Sequence, residues 1–547
     1  MNKKVVIILL TAIIILASML RLWGLGVVPT SPDWDEASLG YNAFSILQTG
    51  RDEYGKFMPI VFQSFNDYKP ALYSYFIIPL LPIFGLTLFA VRLPSVILGI
   101  LTVLATFFLV KELFGTSETK SKFKNNSDVI ALLTTFLLAI SPWHIQFSRV
   151  AFESNAGLAF SVFSILFFLK GLKKPWLLLL STMCMALNLS IYQSERVFMP
   201  LIAIALISIY WKQVIALPKK YLIGAVVVGM IVASPLLIYI STNPAALSRA
   251  KGVSVLSQAT PSSQAIANRY LVDKADGNFL GTLFHSRRVA QARDVISGYI
   301  SHYDPNWLFI TGDDNRHHAP SMGLLYLWEL PFLLIGIYSL FFFPFPRRTK
   351  LFIFAWFLLA PVPASVTFDV PHAVRTLNFL PTFQLFTALG LITATAWMSK
   401  QKVLQFSLRY PFVCLVVAFA LFNFSYYLNQ YFVQLNYFTS KDWQYGYKDA
   451  AMELTKIESR YKKVVISNVS PMDQSYIFLL FYKKYSPQEY QMHSFNHYEF
   501  RPINWDKEVK NGKILYVGLP SNFPSDIRTI KTIYYLDGKP AIKFVER

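Results

Sequence analysis

The sequence MNKKVVIILLTAIIILASMLRLW (residues 1–23) decides the fold class, because two lysines precede an apolar run from about Val5 to Trp23. As a helix, such a run is long enough to cross the hydrocarbon core of a membrane. A cleaved signal peptide is the alternative, but no convincing small-x-small cleavage site follows the run. We therefore predict that the chain begins with a membrane-spanning helix.

The composition of the whole chain agrees with a membrane protein. Of 547 residues, 54% are hydrophobic and only 15% are charged, whereas soluble proteins carry about 25% charged residues. This disfavours a soluble enzyme, a nucleic-acid-binding protein and a disordered scaffold. The net charge of +20 is better explained by basic cytoplasmic loops than by nucleic-acid binding. Cys184 and Cys414 lie in apolar runs, so they offer neither a disulfide framework nor a thiolate metal site.

Further apolar runs along the chain predict an all-α polytopic membrane bundle of about eleven spans. These runs lie near residues 88–110, 128–147, 156–171, 175–190, 197–211, 221–240, 323–344, 350–367, 378–398 and 411–429. The run Ala71–Gly85 is ambiguous. If it spanned fully, every later loop would change sides, so we interpret it as an interfacial or partly inserted helix.

The distribution of lysine and arginine orients this bundle. Basic-rich and basic-poor connections between the spans alternate along the chain. The basic-poor connections carry one lysine or arginine each, around Arg149, Arg196 and Arg375. The basic-rich connections carry three or four each: Lys111–Lys124, Lys170–Lys174, Lys212–Lys220, Arg347–Lys350 and Lys400–Arg409. The positive-inside rule places the basic set and the N-terminus in the cytoplasm. The other set then faces outward, together with residues 25–87 (the first loop), 241–322 (the second long loop) and 430–547.

The C-terminal segment (residues 430–547) differs in kind from the transmembrane domain (residues 1–429). Its short β-branched and aromatic runs, separated by Pro, Gly, Asn and Asp, predict strands. These runs are Lys462–Ser467, Ile477–Tyr482 and Lys513–Gly518. We expect a small extracytoplasmic α/β domain.

Acids follow the first span directly, in Ser31-Pro-Asp-Trp-Asp-Glu. Asp33, Asp35 and Glu36 would lie just above the membrane at the start of an amphipathic helix. They suit an N-cap and a first helical turn, and they equally suit proton transfer. In the same loop, Lys69 precedes Pro70, where it could bind phosphate or extend to the membrane surface.

The other outer connections add further ionisable residues. Arg149 and Glu153 are four residues apart, Glu195 and Arg196 are adjacent, and His372 and Arg375 are three apart. Each pair alone is as well explained by a structural ion pair. Because the topology places them on one side, together they predict an outward-facing cavity with acids for proton transfer and cations for an anionic ligand. The membrane location indicates that this anion is a lipid phosphate.

Eight stretches in a fixed order carry a resemblance to a known family. They are Asp35-Glu36, TGRDEYG (Thr49–Gly55), YKPALY (Tyr68–Tyr73), VRLPS (Val91–Ser95), FSRVAFES (Phe147–Ser154), YQSER (Tyr192–Arg196), Trp307–Leu330 and DVPHAVR (Asp369–Arg375). Over roughly residues 1–400 the chain resembles the membrane glycosyltransferases of the C-type fold. More narrowly, it is similar to the bacterial dolichyl-phosphate-mannose–protein mannosyltransferase-like group, which includes aminoarabinose transferases.

The resemblance implies inverting transfer of a hexose or pentose from a polyprenyl-phosphate donor to a lipid, protein or cell-wall glycan acceptor outside the plasma membrane. It implies catalytic roles for Asp35, Glu36 and Glu153. Lys69 falls where relatives place a Lys-Pro-Pro or His-Pro-Pro motif near the donor phosphate, although this chain has Lys-Pro-Ala. The other candidates are Arg92, Arg149, Arg196 and Arg375 for phosphate or structural pairing, and Tyr54, Tyr192 and His372 for substrate.

The sequence also leaves open a metal site and two other functions. Asp313-Asp314 and His317-His318 resemble ligands of a divalent ion, but adjacent histidines seldom bind one ion together. We expect a loop that lines or caps the cavity. A divalent metal stays the alternative, because C-type enzymes differ in metal use and the resemblance does not decide it. The runner-up enzyme is a lipid-linked glycan polymerase, ligase or oligosaccharyltransferase. A transporter or flippase would instead place charges near the midplane and show internal repeats.

Overall fold

The computed structural model describes residues 1–65, 67–115, 127–243, 252–257, 261–403, 406–508 and 513–547. Most of the predicted Lys111–Lys124 connection and part of the second long loop lie outside these residues. The helices of eight residues or more are α1 (Lys3–Leu22), α2 (Trp34–Thr49), α3 (Leu88–Phe114), α4 (Ser127–Ile140), α5 (Pro142–Arg149), α6 (Glu153–Gly171), α7 (Leu177–Asn188), α8 (Glu195–Ile215), α9 (Lys219–Thr242), α10 (Pro261–Ala275), α11 (Arg287–Ser301), α12 (Glu329–Phe342), α13 (Arg347–Leu359), α14 (Thr382–Met398), α15 (Arg409–Asn429), α16 (Tyr447–Ile457) and α17 (Ser475–Tyr482).

The membrane-spanning helices are fewer than the apolar runs. Within the described residues, seven helices are long and apolar enough to cross a membrane, or eight if α4 and α5, bent by 57°, form one span. Each predicted run does contain a helix, but α7, α12 and α13 have only 12, 14 and 13 residues. Helices of this length rise about 18 to 21 Å, less than a membrane core. The predicted multi-pass helical bundle is confirmed, whereas the count of about eleven is not.

Helices α12 and α14 pack backbone against backbone. A Cβ atom added at Gly336 would lie 1.8 Å from the carbonyl oxygen of Phe386, and one at Gly390 would lie 1.8 Å from that of Phe332. Small residues allow this close approach between membrane helices. The two glycines therefore set the spacing of α12 and α14.

The first loop combines α2 with a β-hairpin. Asp33 caps α2 by accepting the Glu36 amide at 2.8 Å. Strands β1 (Val61–Ser64) and β2 (Asp67–Pro70) pair antiparallel, with Lys69 opposite Phe62. The ambiguous run that follows breaks into two short helices, Leu72–Ile77 and Leu81–Phe84. Neither is long enough to span.

The C-terminal segment contains the predicted mix of helices and strands. Two short strands, β3 (Lys402–Val403) and β4 (Phe406–Ser407), precede this segment in the chain. A five-stranded sheet then has the order β6-β5-β7-β9-β8. Its strands are β5 (Lys463–Ile466), β6 (Tyr498–Phe500), β7 (Ile514–Gly518), β8 (Lys531–Tyr534) and β9 (Pro540–Glu546). Strand β5 is parallel to β6 and β7, and β9 is antiparallel to β7 and β8.

The predicted strand at Ile477–Tyr482 is wrong, because these residues form helix α17. The run is apolar throughout and lacks the alternation that distinguishes a strand. In the structure α17 packs against α2: a Cβ atom at Gly40 would approach the Phe481 ring to 2.8 Å and the Val91 side chain of α3 to 2.6 Å. Helix α2 therefore contacts both the bundle and the C-terminal segment.

We predict that Gly336→Ala and Gly390→Ala each lower the free energy of unfolding, by about 1–3 kcal/mol or more, because the added methyl group forces two backbones apart. Thermal unfolding of the purified protein in detergent measures this. Gly224→Ala is the matched control, since a Cβ there meets only Leu179 Cδ1 at 3.9 Å and alanine favours helix over glycine. Unchanged midpoints for Gly336→Ala and Gly390→Ala would contradict this close packing of α12 against α14.

Candidate active site

Six of the residues predicted from sequence line one cavity of about 180 Å³. They are Asp35, Lys69, Glu153, Tyr192, His372 and Arg375. They come from the first loop, the start of α6, the turn before α8 and the connection between α13 and α14. Four connections that are distant in sequence therefore meet in one place, as the charge pattern predicted.

A contact between Asp35 and Lys69 forms one wall of the cavity. Lys69 Nζ donates to Asp35 Oδ1, and it also lies 5.3 Å from the centre of the Phe65 ring. Asp35 belongs to the first turn of α2 and Lys69 to β2, so the loop's own secondary structure brings them together. The Asp35 side chain is 31% exposed, and its carboxylate can be reached from the cavity.

A second acid, Asp33, lies behind this contact. Arg316 Nη1 donates to Asp33 Oδ2 at 3.2 Å, and the guanidinium lies 4.9 Å from the centre of the Trp34 ring. Burial raises the pKa of Asp33 to about 7, and the negative charge of Asp35 adds to this while Arg316 opposes it. Asp33 therefore exchanges its proton near neutral pH. Asp33 is among the first-loop acids predicted from the sequence, whereas Arg316 was not predicted as a site residue.

An acid and two imidazoles meet at the cavity's edge. Asp313 Oδ2 lies 3.1 Å from His317 Nδ1 and 4.0 Å from His372 Nδ1, and the two rings stack with centres 5.2 Å apart. Burial alone would raise the pKa of Asp313, but the hydrogen bonds from His317 and the Ala373 amide, together with the charges of His317 and His372, outweigh it and lower that pKa to about 2. Burial, together with Arg375, lowers the pKa of His372 well below its ordinary value.

The backbone around this group is fixed by hydrogen bonds. The Ala373 amide donates to Asp313 Oδ2 at 2.5 Å, and the His372 amide donates to His302 Nε2 at 3.1 Å. Arg375 donates through Nη1 to Thr367 Oγ1 and to the Phe368 carbonyl. The predicted pair His372 and Arg375 is thus held rigidly where it borders the cavity.

The structure does not bring Glu36 and Arg92 to the cavity, contrary to the expectation from sequence. Both side chains are completely buried, and Arg92 donates to both oxygens of Glu36, at 2.8 and 2.7 Å. Glu36 also accepts the Ala151 amide at 2.7 Å. One residue along a helix turns the side chain by about 100°, so Asp35 faces the cavity while Glu36 faces the bundle.

Arg149 likewise lies outside the cavity. Its guanidinium is buried and donates to the carbonyl oxygens of Leu20, Arg21 and Val28, at 2.9 to 3.0 Å. These carbonyls end α1 and the turn after it, so Arg149 holds α1 against α5. Its charge is directed to backbone oxygens, not to a ligand.

Arg196 and Tyr54 are the other two candidates that do not line the cavity. Arg196 Nε donates to the Leu189 carbonyl at 3.2 Å, while its neighbour Glu195 is buried and accepts from Asn378 at 2.5 Å. The Tyr54 hydroxyl lies 3.4 Å from that of Tyr476 in the C-terminal segment. Both residues therefore connect structural elements.

The chain is similar to known proteins in part of its sequence and in its fold. Residues 68–239 match the family model described as dolichyl-phosphate-mannose-protein mannosyltransferase. ArnT from Cupriavidus metallidurans superposes with a TM-score of 0.55 in its apo state and 0.53 when bound to undecaprenyl phosphate, at 11% identity. The undecaprenyl-phosphate-bound match covers 100% of this chain and 98% of ArnT, and the apo match covers 98% and 97%. The chain has the C-type glycosyltransferase fold.

A second relative shares this C-type fold. The oligosaccharyltransferase AglB from Archaeoglobus fulgidus, solved with an inhibitory peptide and a dolichol-phosphate, matches with a TM-score of 0.50 and 12% identity. The match covers 88% of this chain but 64% of AglB. No curated protein matches the chain significantly by sequence. Over residues 68–239 the family model agrees with the resemblance to the mannosyltransferase-like group, and the solved structures show that the chain shares the fold of ArnT and AglB.

We predict that stability falls as pH rises from about 4 to about 7 because Asp33 keeps its proton in the folded protein over this range while the unfolded chain releases it. Asp33→Asn should flatten this fall, since asparagine stays neutral and still caps α2. Thermal midpoints in detergent across this pH range measure the effect. The exposed acid Glu489 provides the control Glu489→Gln, whose pH profile should follow the wild type. Parallel profiles for Asp33→Asn and the wild type would contradict the buried, protonated Asp33.

Proposed function

We propose that the chain is an inverting glycosyltransferase that moves a single sugar from a polyprenyl-phosphate donor to an acceptor hydroxyl or amine. The observation that carries this proposal is the contact between Asp35 and Lys69 in a cavity that Arg316 and Arg375 also line. The cavity therefore combines an accessible carboxylate with several cations. This is the set that a base-assisted attack and a departing phosphate require.

Asp35 is the proposed base. In the reaction, Asp35 would take the proton of the acceptor while the acceptor oxygen or nitrogen forms a bond to the anomeric carbon. The bond between that carbon and the phosphate oxygen would break on the opposite face, so the configuration inverts. Glu36 is unsuited to this role because it is completely buried and paired with Arg92. Glu153, at the start of α6 and on the cavity wall, would orient the acceptor.

Lys69 would couple donor binding to this base. Without donor, the Lys69 ammonium is paired with Asp35. A donor phosphate would attract Lys69 and leave Asp35 to accept a proton. Arg316 and Arg375 would add positive charge, and an arginine can donate two parallel hydrogen bonds to a phosphate.

The size of the cavity favours a single sugar as the transferred group. About 180 Å³ is below the usual range of about 300–1,000 Å³ for ligand pockets. Transfer of a lipid-linked glycan is the second candidate, and the fold shared with AglB favours it. The two functions differ in the donor that the protein accepts, so donor assays separate them.

The cavity would open on the outer face of the plasma membrane. Lysine and arginine are concentrated in the connections on the other side of the bundle, and the positive-inside rule places those connections in the cytoplasm. On the outer face the acceptor would be a lipid, a protein or a cell-wall glycan, and the prenyl chain of the donor would remain in the membrane.

We expect Asp35→Asn to lower sugar transfer by about 10²–10⁴-fold, the usual contribution of a general base. Purified protein would be assayed with radiolabelled polyprenyl-phosphate monosaccharides and a membrane extract as acceptor. Asp52→Asn is the matched control: Asp52 lies in the same loop but outside the cavity, and its Oδ1 accepts two backbone amides that asparagine can also satisfy.

Three results of this assay decide the proposal. Loss of transfer in folded Asp35→Asn, with activity kept in Asp52→Asn, supports Asp35 as the base. Equal activity in Asp35→Asn and wild type rules out that role. If the wild type transfers only lipid-linked glycans, the second candidate replaces the first.

We expect Lys69→Met and Arg316→Met each to weaken donor binding by about 10–100-fold, because each removes one charge-assisted contact to phosphate, worth about 1.5–3 kcal/mol. Binding of radiolabelled donor to protein in detergent measures this directly. Lys441→Met is the control, since Lys441 is exposed and lies outside the cavity. Donor affinities equal to the wild type in both variants would exclude the proposed phosphate site.

A further inference from the structure

The geometry points to a zinc-type metal site formed by Asp313, His317 and His372 at the edge of the cavity. The inference goes beyond sugar transfer, because it depends on the arrangement of three side chains and not on the reaction. In the sequence, the adjacent pair His317 and His318 suggested metal ligands, although neighbouring histidines seldom bind one ion together. The structure instead brings together His317 and His372, from different loops, and directs His318 Nδ1 to the Ala319 carbonyl at 2.7 Å.

The three ligand atoms converge. Asp313 Oδ2, His317 Nδ1 and His372 Nδ1 all lie within 4.8 Å of one another. The shortest of the separations is 3.1 Å, between Asp313 and His317. A zinc ion bound at about 2.0–2.2 Å from each ligand requires separations of this order, so small side-chain rotations would complete the site.

The hydrogen bonds within the group leave one ligand atom unsatisfied. His372 Nδ1 is buried and has no hydrogen-bond partner among the described residues. A buried polar atom without a partner is costly. A metal ion between the three side chains would satisfy His372 Nδ1 and would replace the single contact from His317 to Asp313 with bonds from all three.

The surroundings hold these ligands in place. The Ala373 amide donates to Asp313 Oδ2, and the His372 amide is fixed by His302. The rings of Phe147 and Phe152 each lie 5.9 Å from that of His317. Such contacts to ligand residues set their orientation in metal sites.

The ligand types select the ion. Two imidazoles and one carboxylate suit zinc better than calcium or magnesium, which prefer oxygen ligands. Three protein ligands leave a fourth position for water or substrate. Because His317 and His372 line the cavity, the fourth ligand would be an oxygen atom inside it.

Another acid–imidazole pair in the chain provides a matched control. His285 Nδ1 lies 2.5 Å from Asp273 Oδ2, a pairing similar to that of His317 and Asp313. No third histidine, cysteine or acid joins it within metal-binding distance in the described part of the chain. A pair alone should bind zinc weakly, so His285→Ala should leave the zinc content unchanged.

The test measures zinc in the full-length protein, purified in detergent through a tag without histidine, treated with chelator and titrated with Zn²⁺. We expect one zinc per chain in the wild type and in His285→Ala. In His317→Ala, His372→Ala and Asp313→Asn, the affinity should fall by at least about 10-fold, the loss that even changes outside the ligand set cause. Co²⁺ in the wild type should give the visible absorption of a four-coordinate site.

Asp313→Asn preserves side-chain volume, so it decides the question if a histidine variant fails to fold. No zinc bound by the wild type, or equal affinity in folded Asp313→Asn and wild type, would overturn the inference. Because bound zinc is measured in the absence of a sugar donor, a negative result would not contradict the transferase proposal. Conversely, zinc binding would persist if that proposal failed.

Discussion

The buried ion pair between Glu36 and Arg92 is the constraint on which the cavity depends. It links α2 to α3 and, through the Ala151 amide, to the connection between α5 and α6. Arg92 also donates to the carbonyl oxygens of Pro29 and Ser31, so the chain before α2 is fixed as well. Removing one partner of such a pair leaves a buried charge and costs about 3–5 kcal/mol. The pair thereby fixes the rotation of α2 that turns Asp35 toward the cavity.

Three acids of one short stretch serve three purposes because of this rotation. Asp33 caps the helix and is buried, so its pKa rises to about 7. Asp35 remains accessible and contacts Lys69. Glu36 is buried and neutralised by Arg92. All three residues are acids. Their burial and the side chains that they contact therefore decide which of them exchanges protons and which stabilises the fold.

The sequence predicted the helical bundle, the α/β character of the C-terminal segment and six of the cavity residues, because hydrophobic runs and the placement of charges are local signals. It could not show that Arg149 has a structural role while Arg375 lies at the cavity. The first is surrounded by carbonyl oxygens of α1, and the second borders the cavity; this difference arises only from packing between distant segments. For the same reason, the meeting of His372 with Asp313 and the exclusion of Glu36 were not predicted. The unbroken apolar run at Ile477–Tyr482 suited either strand or helix.

The C-terminal segment supports the candidate active site directly. Gln491 donates to Ser45, Thr49 and the Asp52 carbonyl of the first loop, and the Tyr41 hydroxyl donates to the Tyr485 carbonyl. Helix α2 thus contacts both Arg92 of α3, through Glu36, and Phe481 of α17, at Gly40. A segment that served only to bind a partner would not need to hold the helix that carries Asp35. Since the position of Asp35 depends on both contacts, the bundle and the C-terminal segment together form the scaffold of the cavity.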